Sequence, residues 1–196
     1  MKAVIASSNA KKLKELQGLM SGFGWSLAAQ SEFGLVTPEE TGLTFVENAL
    51  LKARYAAAET GLAAVADDSG LVVPALGGAP GLYSSRYAGE DGNDAKNNAL
   101  LLKNLQGITD RSAYFISVVV LLRHANDPAP IVAEGRWHGH VADAPRGEHG
   151  FGYDPLFVVD DEGTRAAELS AEAKGAISHR GIAMASLRAQ LQAAAH

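Results

Sequence analysis

The chain has 196 residues, 47% of them hydrophobic, a net charge of −5 and no cysteine, which suits one globular domain or one domain with a small lobe. Lysines and arginines are scattered, so the concentrated basic field of a nucleic-acid or anionic-membrane surface is absent. A small polyanion held in a local pocket stays open.

Without cysteine there are no disulfides and no thiolate zinc sites, which fits a reducing compartment. The opening "MKAVIASSNAKK" has no long apolar core followed by a cleavage site, and no 18-residue apolar run occurs. A cytoplasmic, soluble protein is expected.

In chain order, "AVIA" at 3–6 reads as a short buried strand, "SSN" as a polar turn, and Ala10–Met20 as a helix capped by Asn9 or Ser8. "TFVE" at 44–47 matches a capping box and opens a second helix that runs to Gly61. "LAAVAD" is strand-like, "DDSG" at 67–70 reads as a turn, and "LVV" continues after it. "GGAPG" is a loop, and 94–105 looks helical. "SAYFISVVVLLRH" at 112–124 is a long β-branched strand, turned by "ANDPAP" into "IVAEGRW". "APRGEHGFGYDP" is a glycine-punctuated loop before the strand "LFVV", and the tail from Ser170 is helical. Strands mixed with helices throughout give an α/β class with an antiparallel portion in the middle.

Several stretches have chemical potential. A strand, "SSNAKK" and a helix bring backbone N–H groups, hydroxyls and Lys11 or Lys12 to a helix N-terminus, which favours anions. A capped surface helix would use the same residues. Asn48 and Lys52, at i and i+4, share one helix face. "DDSG" offers two carboxylates at a strand end, where α/β folds bind ligands. Hard cations such as Mg²⁺ take such oxygens, and an Asx turn would use them too. "GFGYD" at 150–154 supplies a flat Phe151 and the acceptor Asp154, and "SHR" at 178–180 supplies donors, a set suited to stacking and edge-reading of a base. Together the stretches describe a nucleoside triphosphate site.

The six segments "SSNAKK", "EETGLTFVENALLKA", "ADDSGLVV", "GGAPGLYSSRYAG", "FGYDPLF" and "ISHRG" stand in register over nearly the whole chain. Their order and spacing resemble the non-canonical purine NTP pyrophosphatases, also called inosine triphosphate pyrophosphatases or XTP/dITP diphosphatases. One departure is Ser7, where the family usually has threonine; the hydroxyl is kept.

The resemblance implies an elongated, two-lobed α/β fold around a long mixed sheet flanked by helices, with the active-site cleft between the lobes. It implies one domain over residues 1–196, working as a homodimer. The implied reaction is Mg²⁺-dependent cleavage of ITP, dITP or XTP to the monophosphate and pyrophosphate. By position, Ser7, Ser8, Asn9, Ala10, Lys11 and Lys12 would hold phosphates. Glu40 and Asp68 would lie near Mg²⁺, with Glu39 the less favoured neighbour. Asp68 would accept the proton of the attacking water, Mg²⁺, Lys12 and Lys52 would neutralise charge and position that water, and Asp67 would shape the turn. Ser69, Phe151, Gly152, Tyr153, Asp154, Lys174, His179 and Arg180 would contact the substrate, most of them at the base.

Donors at Lys174, His179 or Arg180 would pair with the 6-oxo group of hypoxanthine or xanthine and meet the amino group of adenine donor to donor. Guanine shares the 6-oxo group, so only adenine is rejected on this ground. Two alternatives are a nucleotide-binding module without catalysis and a different Mg²⁺-dependent nucleotide phosphatase. An aspartyl-nucleophile phosphatase shows DxD after its first strand, and here that strand ends in "SSN".

Overall fold

The computed structural model describes residues 2–89 and 92–194. In chain order the elements are β1 (Lys2–Ile5), α1 (Ala10–Met20), β2 (Ser26–Ala29), α2 (Phe45–Thr60) and β3 (Ala63–Val72). There follow α3 (Asp94–Asn104), β4 (Ser112–Leu122), β5 (Ile131–Val141), β6 (Phe157–Val158), α4 (Ala171–Ile177) and α5 (His179–Ala193). The strands form one sheet in the order β2-β1-β3-β4-β5-β6. β1 pairs in parallel with β2 and β3, Ile5 lying opposite Ala29 and Val65. β5 and β6 are antiparallel, so the sheet is mixed, as expected for the α/β class.

The chain divides into two compact units. The first is Met1–Asp68, Ser117–Gly135 and His179–His196. Its core gathers Ile5, Val65, Val119 and Leu121 from the strands with Leu16, Met20, Met184 and Leu187 from α1 and α5. Leu187 is fully buried, and its truncation to alanine would cost about 2–5 kcal/mol. Gly135 in β5 lets α5 lie close, because any Cβ there would collide with the His179 carbonyl. The β4–β5 turn is tied by Asp127, which accepts from the Arg123 and Ala129 backbone N–H groups and from the Arg123 guanidinium.

The second unit is Ser69–Ile116 and Arg136–Ser178. Its core is aromatic: the Phe157 ring lies 4.7 Å from Phe115 and 5.2 Å from Trp137, with Leu71, Leu101, Leu105 and Leu156 around them. Asn93 caps α3 by accepting from Lys96 N–H, and Asn97 ties the 85–88 loop through Ser85 O and Ala88 N–H.

Most expected elements form where the pattern puts them. The Thr44 hydroxyl accepts from Glu47 N–H, and the Glu47 carboxylate accepts from Leu43 N–H and the Thr44 hydroxyl. Gly61, left-handed at φ 65, ends α2. Three differences stand out. β2 has no counterpart in the sequence reading; its four residues rely on pairing with β1 rather than on a pattern of their own. The C-terminal helix is two, broken at Ser178. "DDSG" is not a turn, because β3 runs unbroken through it.

Candidate active site

β1 ends with Ala6 N–H bonded to Val65 O, and the chain turns into α1. Asn9 builds the turn: its Oδ1 accepts from Lys11 N–H (3.0 Å) and Lys12 N–H (3.1 Å), and its own N–H reaches Ser7 Oγ (3.3 Å). Ser8, Ala10 and Lys11 are exposed, while Lys12 is half-buried and turns toward Asp67, with Nζ 3.7 Å from Oδ2. Burial lowers the Lys12 pKa; Asp67 opposes that, and the nearby Lys52 and Arg180 cations add to it. An anion at this turn would relieve that crowding of positive charge.

Because Asp67 and Asp68 are neighbours in a strand, they point to opposite faces. The shaping role expected for Asp67 therefore falls on a buried network rather than on a turn. Asp67 accepts from Ser117 Oγ on β4 and from Arg180 Nε (3.3 Å) and Nη2 (3.2 Å) on α5, while Arg180 Nη1 donates to Glu15 on α1. Burial pushes the Asp67 carboxyl up, but Arg180 and Lys12 outweigh it and hold it well below the usual carboxylate range. Arg180 is buried too, and its two acids outweigh the desolvation that would lower its pKa.

Asp68 faces a different partner. Lys52 Nζ lies 2.8 Å from Asp68 Oδ1 and 2.7 Å from Glu40 Oε1, bridging the two carboxylates. A lysine on a helix is ordinarily solvent-facing, but α2 buries the row Asn48, Lys52, Ala56 beside the row Ala49, Ala53, Ala57. Asn48 accepts from Gly42 N–H at 2.8 Å, which fixes the loop carrying Glu40. Burial would strip the proton from Lys52, yet Asp68 and Glu40 together raise its pKa and keep it charged. Burial also pushes the Asp68 carboxyl up, with Glu40 adding to this, against the pull of Lys52 and Lys12. Glu39 is exposed, whereas Glu40 is half-buried on Lys52. Among the described residues no group of three or more acidic or histidine side chains forms a closed metal site. Two hard carboxylates suit an ion that keeps waters and phosphate oxygens as its other ligands.

In the second unit, Asp154 is buried at the end of the glycine turn. Its Oδ2 accepts from Phe151 N–H (2.9 Å) and Lys174 Nζ (2.7 Å), and Nζ lies 5.0 Å from the centre of the half-buried Phe151 ring. Tyr153 is buried and donates to Ser84 O (2.8 Å). Ser69 follows Asp68 in β3 and is half-buried.

The structure thus brings Lys12, Glu40, Lys52, Asp67, Asp68 and Arg180 into two networks of the first unit, and Phe151, Asp154 and Lys174 into one cluster of the second. His179 is buried at the start of α5. Sequence reasoning missed Glu15 and Ser117, which brace the Arg180–Asp67 pair. It also missed Asp94 and Asn98, which hold Gly152. Each is an ordinary polar residue of a helix or strand, and only tertiary contact distinguishes it.

Comparison with known proteins adds the lineage. The chain is 56% identical over 191 residues to a protein of Aromatoleum aromaticum named dITP/XTP pyrophosphatase, covering 97% of this chain and 96% of that one. An Escherichia coli K12 protein of the same name is 54% identical over 185 residues, with 93% and 94% covered. Among solved structures, a HAM1 protein from Coxiella burnetii superposes with TM-score 0.90 at 48% identity, covering 98% of each chain. The Staphylococcus aureus Ham1 protein gives 0.87 at 42% identity, covering 98% of this chain and 99% of that one. The family model of the Ham1 family matches residues 3–190, and the chain belongs to the Ham1 family.

Proposed function

We propose that this protein hydrolyses the purine nucleoside triphosphates dITP, XTP and ITP to the monophosphate and pyrophosphate, removing them from the nucleotide pool. The observation that carries the reading is Lys52 Nζ held between Glu40 and Asp68, at 2.7 and 2.8 Å. Arg180 between Asp67 and Glu15 shows that a buried cation on two acids can serve the fold alone, but Lys52 differs in lying beside the half-buried Glu40 near the anion-favouring turn. A hydrolase has a use for a cation there, because phosphoryl transfer demands neutralised charge and a positioned water. The names of the relatives at 54–56% identity, dITP/XTP pyrophosphatase, support dITP and XTP as substrates.

In this mechanism Ser7 to Lys12 receive the phosphates, with Lys12 supplying positive charge. Asp68 takes the proton of the attacking water on its carboxylate, a role that its burial-raised pKa favours. Lys52 holds Asp68 in place and neutralises charge on the reacting phosphate. Glu40 and Asp68 would hold Mg²⁺, which supplies Lewis-acid stabilisation of the phosphate oxygens.

Phe151 stacks the base, and Lys174, fixed by Asp154, donates to its 6-oxo edge. Gly152, Tyr153 and Ser69 complete the substrate contacts, and His179 adds a donor. Arg180 donates to Asp67 and Glu15 through three of its five N–H groups, so these acids hold the guanidinium in place for any contact to the base.

The protein works as a homodimer in the cytoplasm. No helix of the described residues is long and apolar enough to cross a membrane. Light scattering checks the dimer.

A panel of NTPs and dNTPs with Mg²⁺, scoring pyrophosphate against orthophosphate, tests the reading. ITP, dITP and XTP should release pyrophosphate far faster than ATP. Release of orthophosphate with a diphosphate product would assign the chain to a different phosphatase class, and no turnover would leave a binding module.

A further inference from the structure

We propose that Asp94 and Asn98 of α3 are positioning residues for the purine platform, fixing the turn that carries Phe151. Asp94 Oδ2 accepts from Gly152 N–H at 2.9 Å, and Asn98 Nδ2 donates to Gly152 O at 2.8 Å. Spaced i, i+4, the two side chains project from one face of α3 and take both backbone polar groups of a single residue. Asn98 Nδ2 also donates to Asp94 O (2.8 Å), which ties the two arms of the clamp together.

Gly152 is the residue for which such a clamp matters. Its φ is +63, a conformation that glycine visits among many others, so the turn needs outside contacts to stay in one shape. On the other side of Phe151, Gly150 has φ +75, and any Cβ there would strike the Asp154 carboxylate. Phe151 is therefore held from both directions. Its own N–H is bonded to Asp154, and the residue after it is bonded to α3. The Lys174 ammonium, on the same Asp154 oxygen, lies against its ring. A ring fixed before the base arrives loses less freedom on stacking than a mobile one, so the clamp contributes to base-dependent binding.

The inference rests on the assignment of Phe151, Asp154 and Lys174 to the base and adds the support that keeps them in place. Asp94 also lies in the first turn of α3, where a negative charge favours the helix dipole. The two roles separate cleanly: Asp94→Asn keeps an acceptor for Gly152 N–H but removes the charge.

The test is steady-state kinetics of the full chain with ITP and ATP, together with inhibition by inorganic tripolyphosphate, which has no base. Asp94→Ala should raise KM for ITP roughly tenfold or more, the size expected for a lost bond to a charged acceptor, with kcat less affected. The preference for ITP over ATP should shrink, and tripolyphosphate inhibition should hold. Asp94→Asn should recover most of the loss, and Asn98→Ala should show a smaller effect of the same kind. Should Asp94→Ala not fold, Asn98→Ala carries the same comparison.

An unchanged KM in folded variants would overturn the proposal. So would equal weakening toward tripolyphosphate, or an Asp94→Asn variant as impaired as Asp94→Ala. Phe151→Ala separates the layers. If it raises KM for ITP while Asp94→Ala and Asn98→Ala do not, the clamp alone fails. If it too leaves KM unchanged, the assignment of the base site fails with it.

Discussion

Asp67 and Asp68 are adjacent in β3, yet Asp67 is bonded to Arg180 and Ser117 while Asp68 is bonded to Lys52. Two like charges sit side by side because each has its own buried cation, on opposite faces of one strand. The division separates a carboxylate that holds the fold from the one proposed to do the chemistry.

Substitution should expose the split. Asp67→Asn leaves Arg180 buried with only part of its counter-charge, a change that costs about 3–5 kcal/mol in comparable buried pairs. Its thermal midpoint should drop clearly, while turnover of the folded fraction falls less than in Asp68→Asn. Melting curves and single-substrate kinetics on both variants check this. An Asp67→Asn protein as stable as the wild type would remove Asp67 from the structural network.

The same pair sets an acid limit. The Asp67 pKa in the folded state lies below its ordinary value of 3.8. Below about pH 4 the unfolded chain therefore binds a proton that the folded chain does not. The contribution of Asp67 is present above that pH and is lost as pH falls through the acid range. In denaturant titrations at stepped pH, stability should fall toward acid in the wild type, and less steeply in Asp67→Asn. Equal slopes would contradict the assignment.

The two networks also show how far the sequence can be read. Adjacent carboxylates after an apolar run point to a site, and the capping box at Thr44 places Lys52 on α2. Local chemistry alone suggests a turn at "DDSG", because like charges and glycine are turn signals. The strand persists because its neighbours supply Lys52, Arg180 and Ser117 from 16, 113 and 50 residues away. β2 was invisible for a similar reason, since its four residues are defined by pairing with β1. Glu15, Asp94 and Asn98 show nothing unusual until the chain folds.

Lys52 is the cation that the Glu40–Asp68 pair already has. Lys52→Met should reduce turnover by about 10²-fold or more, the scale of losing one positioned electrostatic donor. Lys52→Arg should rescue poorly, because a planar fork does not fit the place of a compact ammonium. Parallel kinetics on the two variants measure this, and near-normal rates in Lys52→Met would exclude a role in the chemistry.

The proposed metal dependence can be tested at the same three groups. With Lys52 on both carboxylates, Mg²⁺ alone should bind the free protein weakly, and more tightly once nucleotide phosphates supply further oxygens. Calorimetry with and without a non-hydrolysable ITP analogue reads the difference. EDTA should abolish turnover and Mg²⁺ should restore it; full activity in chelator would rule the metal out.

The most direct measurement is ITP turnover by wild type and Asp68→Asn side by side, with products resolved by chromatography. Wild type should yield IMP and pyrophosphate. Asp68→Asn should fold and still bind nucleotide, but turn over about 10²–10⁴-fold more slowly, the range for a lost general base. Near-normal turnover by Asp68→Asn, or IDP and orthophosphate as first products of the wild type, would contradict a pyrophosphohydrolase with Asp68 as its proton acceptor.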